Sequence, residues 1–234
     1  MKKGTWYSAL VTYTLILGGF LVMAVAGNRA TEVVAQMIPL ERSACIVIDP
    51  GHGGVDGGAT SCTGILESQF NLEIGLRLRD LMHLLGYQTK MIRTSDVSVY
   101  TAGDSIGAQK ISDLRQRVRT VNETPGAVLV SIHQNTFQDS RYHGAQVFYG
   151  PSGDSEDLAK SLQQSFVRTL NPGSNRSAKK GEGIYLLQHI QQTGILIECG
   201  FLSNPEEEAR LRQESYQKAV CCVIGAGLSN FLDG

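Results

Sequence analysis

Ile46-Val47-Ile48-Asp49-Pro50-Gly51-His52-Gly53-Gly54-Val55-Asp56-Gly57-Gly58-Ala59 is the stretch that decides the fold. It opens with three β-branched apolar residues, which read as a buried strand. Pro50 and a run of glycines then end that strand, with His52 at the break. Glycine admits left-handed backbone and lets other groups approach closely. A buried strand that runs into a side-chain-poor loop carrying one imidazole builds either a plain turn or a site at the sheet edge.

Downstream, the hydrophobic period alternates between two and about 3.6. Ser68–Leu85 carries a helical stripe stopped by Gly86, and Tyr87–Ile92 reads as a strand. Thr94–Gly107 is polar and glycine-containing, a loop, and Lys110–Asn122 has Ile111, Leu114, Val118 and Val121 on one helical face. Ala127–Ile132 is continuously apolar, as a central strand should be. Ala145–Tyr149 is a further strand, Ser155–Leu170 a helix, Asn171–Gly183 a polar, basic loop, and Ile184–Ile190 is ambiguous. Ile195–Ile197 is a strand that ends at Glu198, and Pro205–Leu211 and Tyr216–Leu232 close the chain as helices. Strands alternating with helices give an α/β fold, a single domain with a mostly parallel twisted sheet flanked by helices. In such sheets ligands bind beyond the carboxyl ends of the strands.

Upstream, residues 6–27 are apolar and uncharged and follow Lys2 and Lys3. A stretch of about 22 residues, rising about 1.5 Å each as a helix, is long enough to span a bilayer. The basic flank keeps the N-terminus in the cytoplasm and sends the body out. Ala24-Val25-Ala26 also resembles a small-residue cleavage site, so 1–27 reads as a membrane-spanning signal anchor or a cleaved signal peptide. Residues 28–44 read as a tether, and the folded domain as 45–234. The protein is thus expected to be exported, anchored in the membrane or released beyond it.

Composition narrows the partners. Hydrophobic residues make up 42% and charged residues 18%, a globular balance. Of 21 basic residues Lys2 and Lys3 precede the apolar segment, leaving 19 against 22 acidic ones, which argues against nucleic-acid binding. Cys45, Cys62, Cys199, Cys221 and Cys222 are odd in number and form no C-x-x-C pair, so neither a disulfide framework nor a cysteine zinc cluster is indicated.

Three groups fall at expected strand ends: His52, His133 and Glu198. Glu67 opens the first helix after the glycine loop. Two histidines and a carboxylate are a recurrent ligand set for catalytic Zn2+ with an open position for water. A second carboxylate can then carry a proton from that water to a leaving amine. Each residue also has a plainer reading: Glu67 as an acid favoured by a helix N-terminus, His133 as a hydrogen-bonded strand-end histidine. Glu198, between aliphatic residues and Cys199-Gly200-Phe201-Leu202, should be buried and so should need a partner. Asp49 reads as an acceptor for a ligand imidazole or as a cap on the turn. His83 and His189 read as packing or surface residues, and His143 begins a strand instead of ending one.

These blocks resemble the zinc-dependent N-acetylmuramoyl-L-alanine amidases of the third amidase type. The resemblance covers nearly all of Cys45–Gly234. It is carried by Ile48–Ala59, by Glu67 ahead of a helix containing Asn71, by Arg93-Thr94, and by Arg117-Val118 with Asn122. Ser131-Ile132-His133-Gln134-Asn135 and Ile197-Glu198-Cys199-Gly200-Phe201-Leu202-Ser203-Asn204-Pro205 complete it. The resemblance implies that His52, Glu67 and His133 bind zinc and that Glu198 is the catalytic carboxylate. It implies substrate contacts at Asn135, at Arg176 and at Lys179 or Lys180. Gln134 departs from the pattern, in which a small residue is common after the histidine, and stands beside the site.

The architecture, one membrane segment and one catalytic domain, is most similar to the sporulation and germination amidases. That similarity implies action on spore cortex peptidoglycan, where removing stem peptides permits muramic δ-lactam to form, and an accessory sporulation lipoprotein as partner. A zinc peptidase acting on the stem peptide and a non-catalytic peptidoglycan-binding module are the alternatives.

Overall fold

Ile46-Val47-Ile48 lies in an interior strand of a sheet and is buried on both faces, which is why its apolar run is unbroken. The structure is a computed structural model and describes residues 42–234, with side chains from Cys45 onward. The 1–27 segment and most of the 28–44 tether lie outside the described residues. Among the described residues no helix is long and apolar enough to cross a membrane.

The elements run β1 (Arg42–Pro50), α1 (Glu67–Leu84), β2 (Tyr87–Met91), α2 (Ile106–Asn122), β3 (Val128–Asn135), β4 (Gln146–Tyr149) and α3 (Ser155–Thr169). They continue with β5 (Lys179–Lys180), α4 (Tyr185–His189), β6 (Thr193–Phe201), α5 (Pro205–Leu211) and α6 (Glu214–Asp233). The six strands lie in the order β2-β1-β3-β6-β4-β5. β2, β1, β3 and β6 are mutually parallel, whereas β4 runs antiparallel to β6. Residues 136–145 hold no helix, and a parallel return needs a longer crossover, so the chain comes back antiparallel.

Two layers of helix cover the sheet. Phe70, Ile74, Leu78 and Met82 recur every four residues along α1 and pack on Ile46, Ile48, Val130 and Ile197, joined by Leu162 of α3 and Ile224 of α6. Val47, Leu129 and Leu196 face the other way, onto Val121 of α2 and Leu186 and Leu187 of α4. Alternation along β3 and β6 therefore puts His133 and Glu198 on the α2–α4 side.

Several boundaries differ from the sequence reading. β1 begins at Arg42, three residues inside the expected tether, with a bulge before Cys45. α2 begins at Ile106 because the Ser105 side chain caps it, accepting from the Ala108 amide. β3 runs on to Asn135 and β6 to Phe201, so His133 and Glu198 sit inside their strands, near the carboxyl ends. The polar 171–183 loop contributes the two residues of β5, and the ambiguous 184–190 stretch forms the short helix α4.

Candidate metal centre

The turn after β1 is held by its own carbonyls. Pro50 O accepts from Arg93 Nε (2.8 Å) and Arg117 Nη1 (3.1 Å). Gly51 O accepts from Arg93 Nη2 (3.0 Å) and His52 O from Arg117 Nη2 (2.8 Å). Arg93 Nη2 also reaches Ser68 O (2.8 Å) and so ties the turn to the start of α1. Both arginines are 3% exposed. Arg117 pairs with buried Asp49 and with Asp113, and Ser131 Oγ donates to Asp49 Oδ2 (2.7 Å). Burial opposes the Arg117 charge, but the two aspartates outweigh it and raise its pKa above the ordinary value. Asp49 therefore neither caps the turn nor touches a site imidazole: it is the counter-ion of the arginine that fixes the turn.

His52 has φ 59°, left-handed backbone that costs a non-glycine residue about 1–3 kcal/mol. The carbonyl bonds on either side offset that strain. They leave the imidazole with Nδ1 against Asp56 Oδ2 (3.0 Å) and Nε2 against Glu67 Oε2 (3.3 Å). Lys110 Nζ in turn meets Asp56 Oδ2 at 3.2 Å. An Nδ1–H donated to Asp56 leaves the Nε2 lone pair pointing into the site.

Glu67 is the first residue of α1, so its place at a helix N-terminus is as the simplest reading expected. Its carboxylate does more than face the helix dipole. Oε1 lies 2.9 Å from His133 Nδ1 and accepts from the Gln134 amide (3.1 Å) and Asn71 Nδ2 (3.2 Å); Oε2 accepts from the Ala59 amide (3.0 Å). Burial disfavours its charge, yet the bonds to His133 and His52 hold the carboxyl well below the ordinary carboxylate range. The His52 pKa is raised in return: burial would lower it, but Glu67 and Asp56 prevail.

The His52 and His133 rings meet edge to face, 5.0 Å between centroids. Space for them is made by glycine. A Cβ on Gly51 would lie 2.2 Å from His133 Nε2, and one on Gly58 2.7 Å from both Glu67 Oε2 and the His52 ring. One donor atom from each of His52, Glu67 and His133 lies within 4.8 Å of the others. Two imidazole nitrogens and a carboxylate oxygen at this spacing fit a tetrahedral Zn2+ with one open position.

Glu198 stands opposite His133 in the β3–β6 register. The partner that burial demands is missing: Oε2 is buried without a hydrogen bond among the described residues. Burial, helped by the nearby Glu67 charge, pushes its pKa up to about 7, with His133 and His52 pulling the other way.

The expected substrate residues are not part of this cluster. Asn135 is half-buried, pairs with Phe201 in register, and its carbonyl accepts from Leu202 N. Arg176 donates to His143 O (3.1 Å) and Gln146 Oε1 (3.3 Å) and lies over the Phe201 ring. It lines a groove of about 670 Å³ together with Lys179, Arg141 and Tyr142. Gln146 pairs with Glu198 across β4–β6, so the groove begins one strand from that carboxylate. Lys179 lines the groove, whereas Lys180 turns to Glu182 at 4.0 Å, which separates the two candidates. Gln134 does not face the pocket: it is buried and donates to Asn71 Oδ1 (3.2 Å). His83 and His189 are exposed, bonded to Thr89 and to Tyr185 O, and His143 lies on the groove rim. All five cysteines are free, Cys221 buried and its neighbour Cys222 exposed.

Asp56, Arg93 and Arg117 are the structural residues that sequence reasoning left without a role. Their presence in the resembling blocks was the only available signal, because nothing local in the chain announces a contact with a carbonyl about 40 to 70 residues away.

Residues 46–230 match the family Amidase_3, described as N-acetylmuramoyl-L-alanine amidase. The germination-specific N-acetylmuramoyl-L-alanine amidase of Bacillus subtilis is 36% identical over 98% of this chain and 95% of its own length. The CwlD amidase from Clostridioides difficile, solved in complex with the GerS lipoprotein, superposes with a TM-score of 0.77 at 35% identity, covering 81% of this chain and 98% of that one. An N-acetylmuramoyl-L-alanine amidase from Clostridium difficile 630 gives a TM-score of 0.72 at 29% identity over 83% of this chain and 99% of that one. With its sheet order, its His–Glu–His cluster and a family match spanning nearly the whole described domain, this chain belongs to the Amidase_3 family of N-acetylmuramoyl-L-alanine amidases.

Proposed function

We propose that the protein is a zinc-dependent hydrolase that cuts the amide between the lactyl group of N-acetylmuramic acid and L-alanine in peptidoglycan. His52 Nε2, Glu67 and His133 Nδ1 hold the metal, which when bound supplies Lewis acidity and activates water. The observation that carries the reading is the placement of Glu198 opposite His133 of the His52–Glu67–His133 cluster, with its Oε2 buried and without a hydrogen bond among the described residues.

Glu198 takes a proton from the attacking water and returns it to the departing L-alanine nitrogen. A group that must do both works best with a pKa near the working pH. A cation bound beside it would favour its ionised form, the form that has a lone pair free to take that proton. Arg176 and Lys179 present cations to the carboxylates of the stem peptide, and Asn135 stands two residues after His133 at the end of β3.

Residues 1–27 act as a signal anchor or signal peptide and the following segment as a tether, so that the domain works on the cell-wall side of the membrane. A role in spore cortex maturation, with muramic δ-lactam formation, draws support from the near full-length similarity to a germination-specific amidase. A lipoprotein partner draws support from the complex in which a similar amidase was solved.

Mass analysis of muropeptides after digestion, with and without chelator, tests metal, reaction and bond together. New free L-alanine amino termini that vanish with chelator are expected. Shortened stem peptides would instead indicate the peptidase, and no product with any metal the binding module. Glu198→Gln should keep zinc bound and lower kcat by about 10³-fold; wild-type turnover by that variant would remove Glu198 from the mechanism.

A further inference from the structure

Two aromatic rings stand in solvent beside the site. Phe137 is 51% and Tyr142 47% exposed, and their centroids are 4.5 Å apart. The Phe201 ring backs Tyr142 at 6.2 Å, and the Arg176 guanidinium covers Phe201 at 5.0 Å. Phe137 follows His133 by four residues on the way out of β3, and Tyr142 is part of the cationic groove wall.

The connection that carries them is fastened at several points. Leu202 N donates to Asn135 O (2.8 Å), Phe137 N to Ser203 Oγ (3.0 Å) and Asn204 Nδ2 to Tyr142 O (3.4 Å). Buried Glu207, set by the Asn204 cap of α5, accepts from both Gly144 N (2.9 Å) and Phe201 N (2.8 Å). A loop held this firmly has means to turn its aromatics inward, yet it presents them to water. Exposed aromatic surface next to a polar site is a recognition feature. Another exposed apolar group, Val55, Tyr100 and Ile106, flanks Asp56 and offers no ring pair.

We propose that Phe137 and Tyr142 form a stacking platform for a pyranose ring of the glycan strand, next to the muramic acid whose amide is cut. The proposal rests on the amidase reading and deepens it. A pyranose has an apolar face of axial C–H groups and an equatorial rim of hydroxyls, which suits an aromatic face edged by polar groups. The substrate joins a neutral sugar chain to an anionic peptide. The cations of the groove match the peptide, and the uncharged rings match the sugar. The two surfaces adjoin at Tyr142, as the two halves of the substrate adjoin at the scissile amide.

The test compares wild type with Phe137→Ala/Tyr142→Ala on two soluble substrates: a muramoyl-peptide with one sugar, and a tetrasaccharide carrying the same peptide. The double variant should raise KM for the tetrasaccharide by about tenfold more than it raises KM for the one-sugar substrate. Phe137→Trp, which keeps the stacking face, should retain the wild-type KM. Titration of the peptide-free tetrasaccharide into metal-depleted protein, followed by NMR, reads the platform without any turnover. Saturable binding by wild type and its loss in the double variant are expected.

Equal KM values for the two proteins on the tetrasaccharide, equal losses on both substrates, or wild type that does not bind the free glycan would each overturn the platform. So would a double variant that loses a partner protein while keeping the glycan. A wild type that binds glycan but cuts neither substrate would refute the amidase reading and leave the platform standing.

Discussion

The turn after β1 and the groove beside β4 flank the same two strands, and they are built in opposite ways. In the turn, three successive carbonyls are gripped by two buried guanidiniums, and the arginine nearer His52 is neutralised by buried Asp49. In the groove the cations lie nearer the surface: Lys179 is exposed, Arg141 pairs with half-buried Asp139, and half-buried Arg176 donates to His143 O and Gln146 Oε1. Under the proposed function the difference follows from the tasks. Metal ligands must hold their geometry before the ion arrives, so the strain at His52 is offset by bonds that cannot be exchanged for water. Carboxylate recognition instead needs donors that are free when the substrate comes, and a solvated ammonium keeps them free.

The largest effect should come from breaking the buried side of this contrast. Arg117→Met leaves Asp49 charged and unpaired and releases the His52 carbonyl. Breaking one side of a buried pair costs about 3–5 kcal/mol. Denaturant unfolding should show that loss, and competition with a chelating dye should show weaker zinc binding. If stability fell but zinc affinity held, the clamp would be structural only and the comparison would lose its point.

A pH series on metal-free protein is expected to show the next effect. Glu67 is ionised more readily in the fold than its ordinary value of 4.5, so its contribution is present above that value and fades as pH falls. His52 is protonated more readily than its ordinary value of 6.5, so its contribution is present below that value and fades as pH rises through the raised one. Glu198, raised to about 7, tilts stability in the same direction as His52. The metal-free Tm should therefore peak between about pH 4.5 and 6.5. Metal binds neutral imidazole, so the gain in Tm from added zinc should grow from pH 5.5 to about 8. A metal-free Tm that climbs steadily to pH 8 would show that the cluster is not the main titrating element.

The smallest effect belongs to the groove. Lys179→Ala should raise KM for peptide-bearing substrate by a few-fold, about 0.2–1 kcal/mol for an exposed charge pair, without changing Tm. Lys180→Ala, whose ammonium is turned to Glu182, should do less. Equal responses to the two changes would erase the distinction between groove wall and outer face.

Much of this was legible without coordinates. The double-sided apolar runs of β1, β3 and β6 are read from neighbours in the chain, and so is the four-residue stripe of α1. His52, His133 and Glu198 could be singled out because each follows or closes such a run, and Glu67 because it opens the α1 stripe after the glycine loop. The glycine loop was legible as a site but its division of labour was not. Gly51 clears the His133 ring and Gly58 clears Glu67 and His52, contacts that depend on where β3 and α1 lie. The strand of β4 was legible but its antiparallel direction was not, the two residues of β5 carry too little periodic signal, and the start of α2 at Ile106 depends on the Ser105 cap, ahead of the apolar stripe.

Sequence by itself determined the α/β alternation and singled out His52, Glu67, His133 and Glu198 as candidates, since both are written in local pattern and residue type. Tertiary structure alone decided how that set is held. Asp49 and Arg117 are 68 positions apart and His133 and Glu67 are 66 apart. Their pairing follows from the register of parallel strands and the seat of one helix on the sheet, which no window of sequence contains. It also set Glu198 opposite His133 with its Oε2 buried and without a hydrogen bond among the described residues.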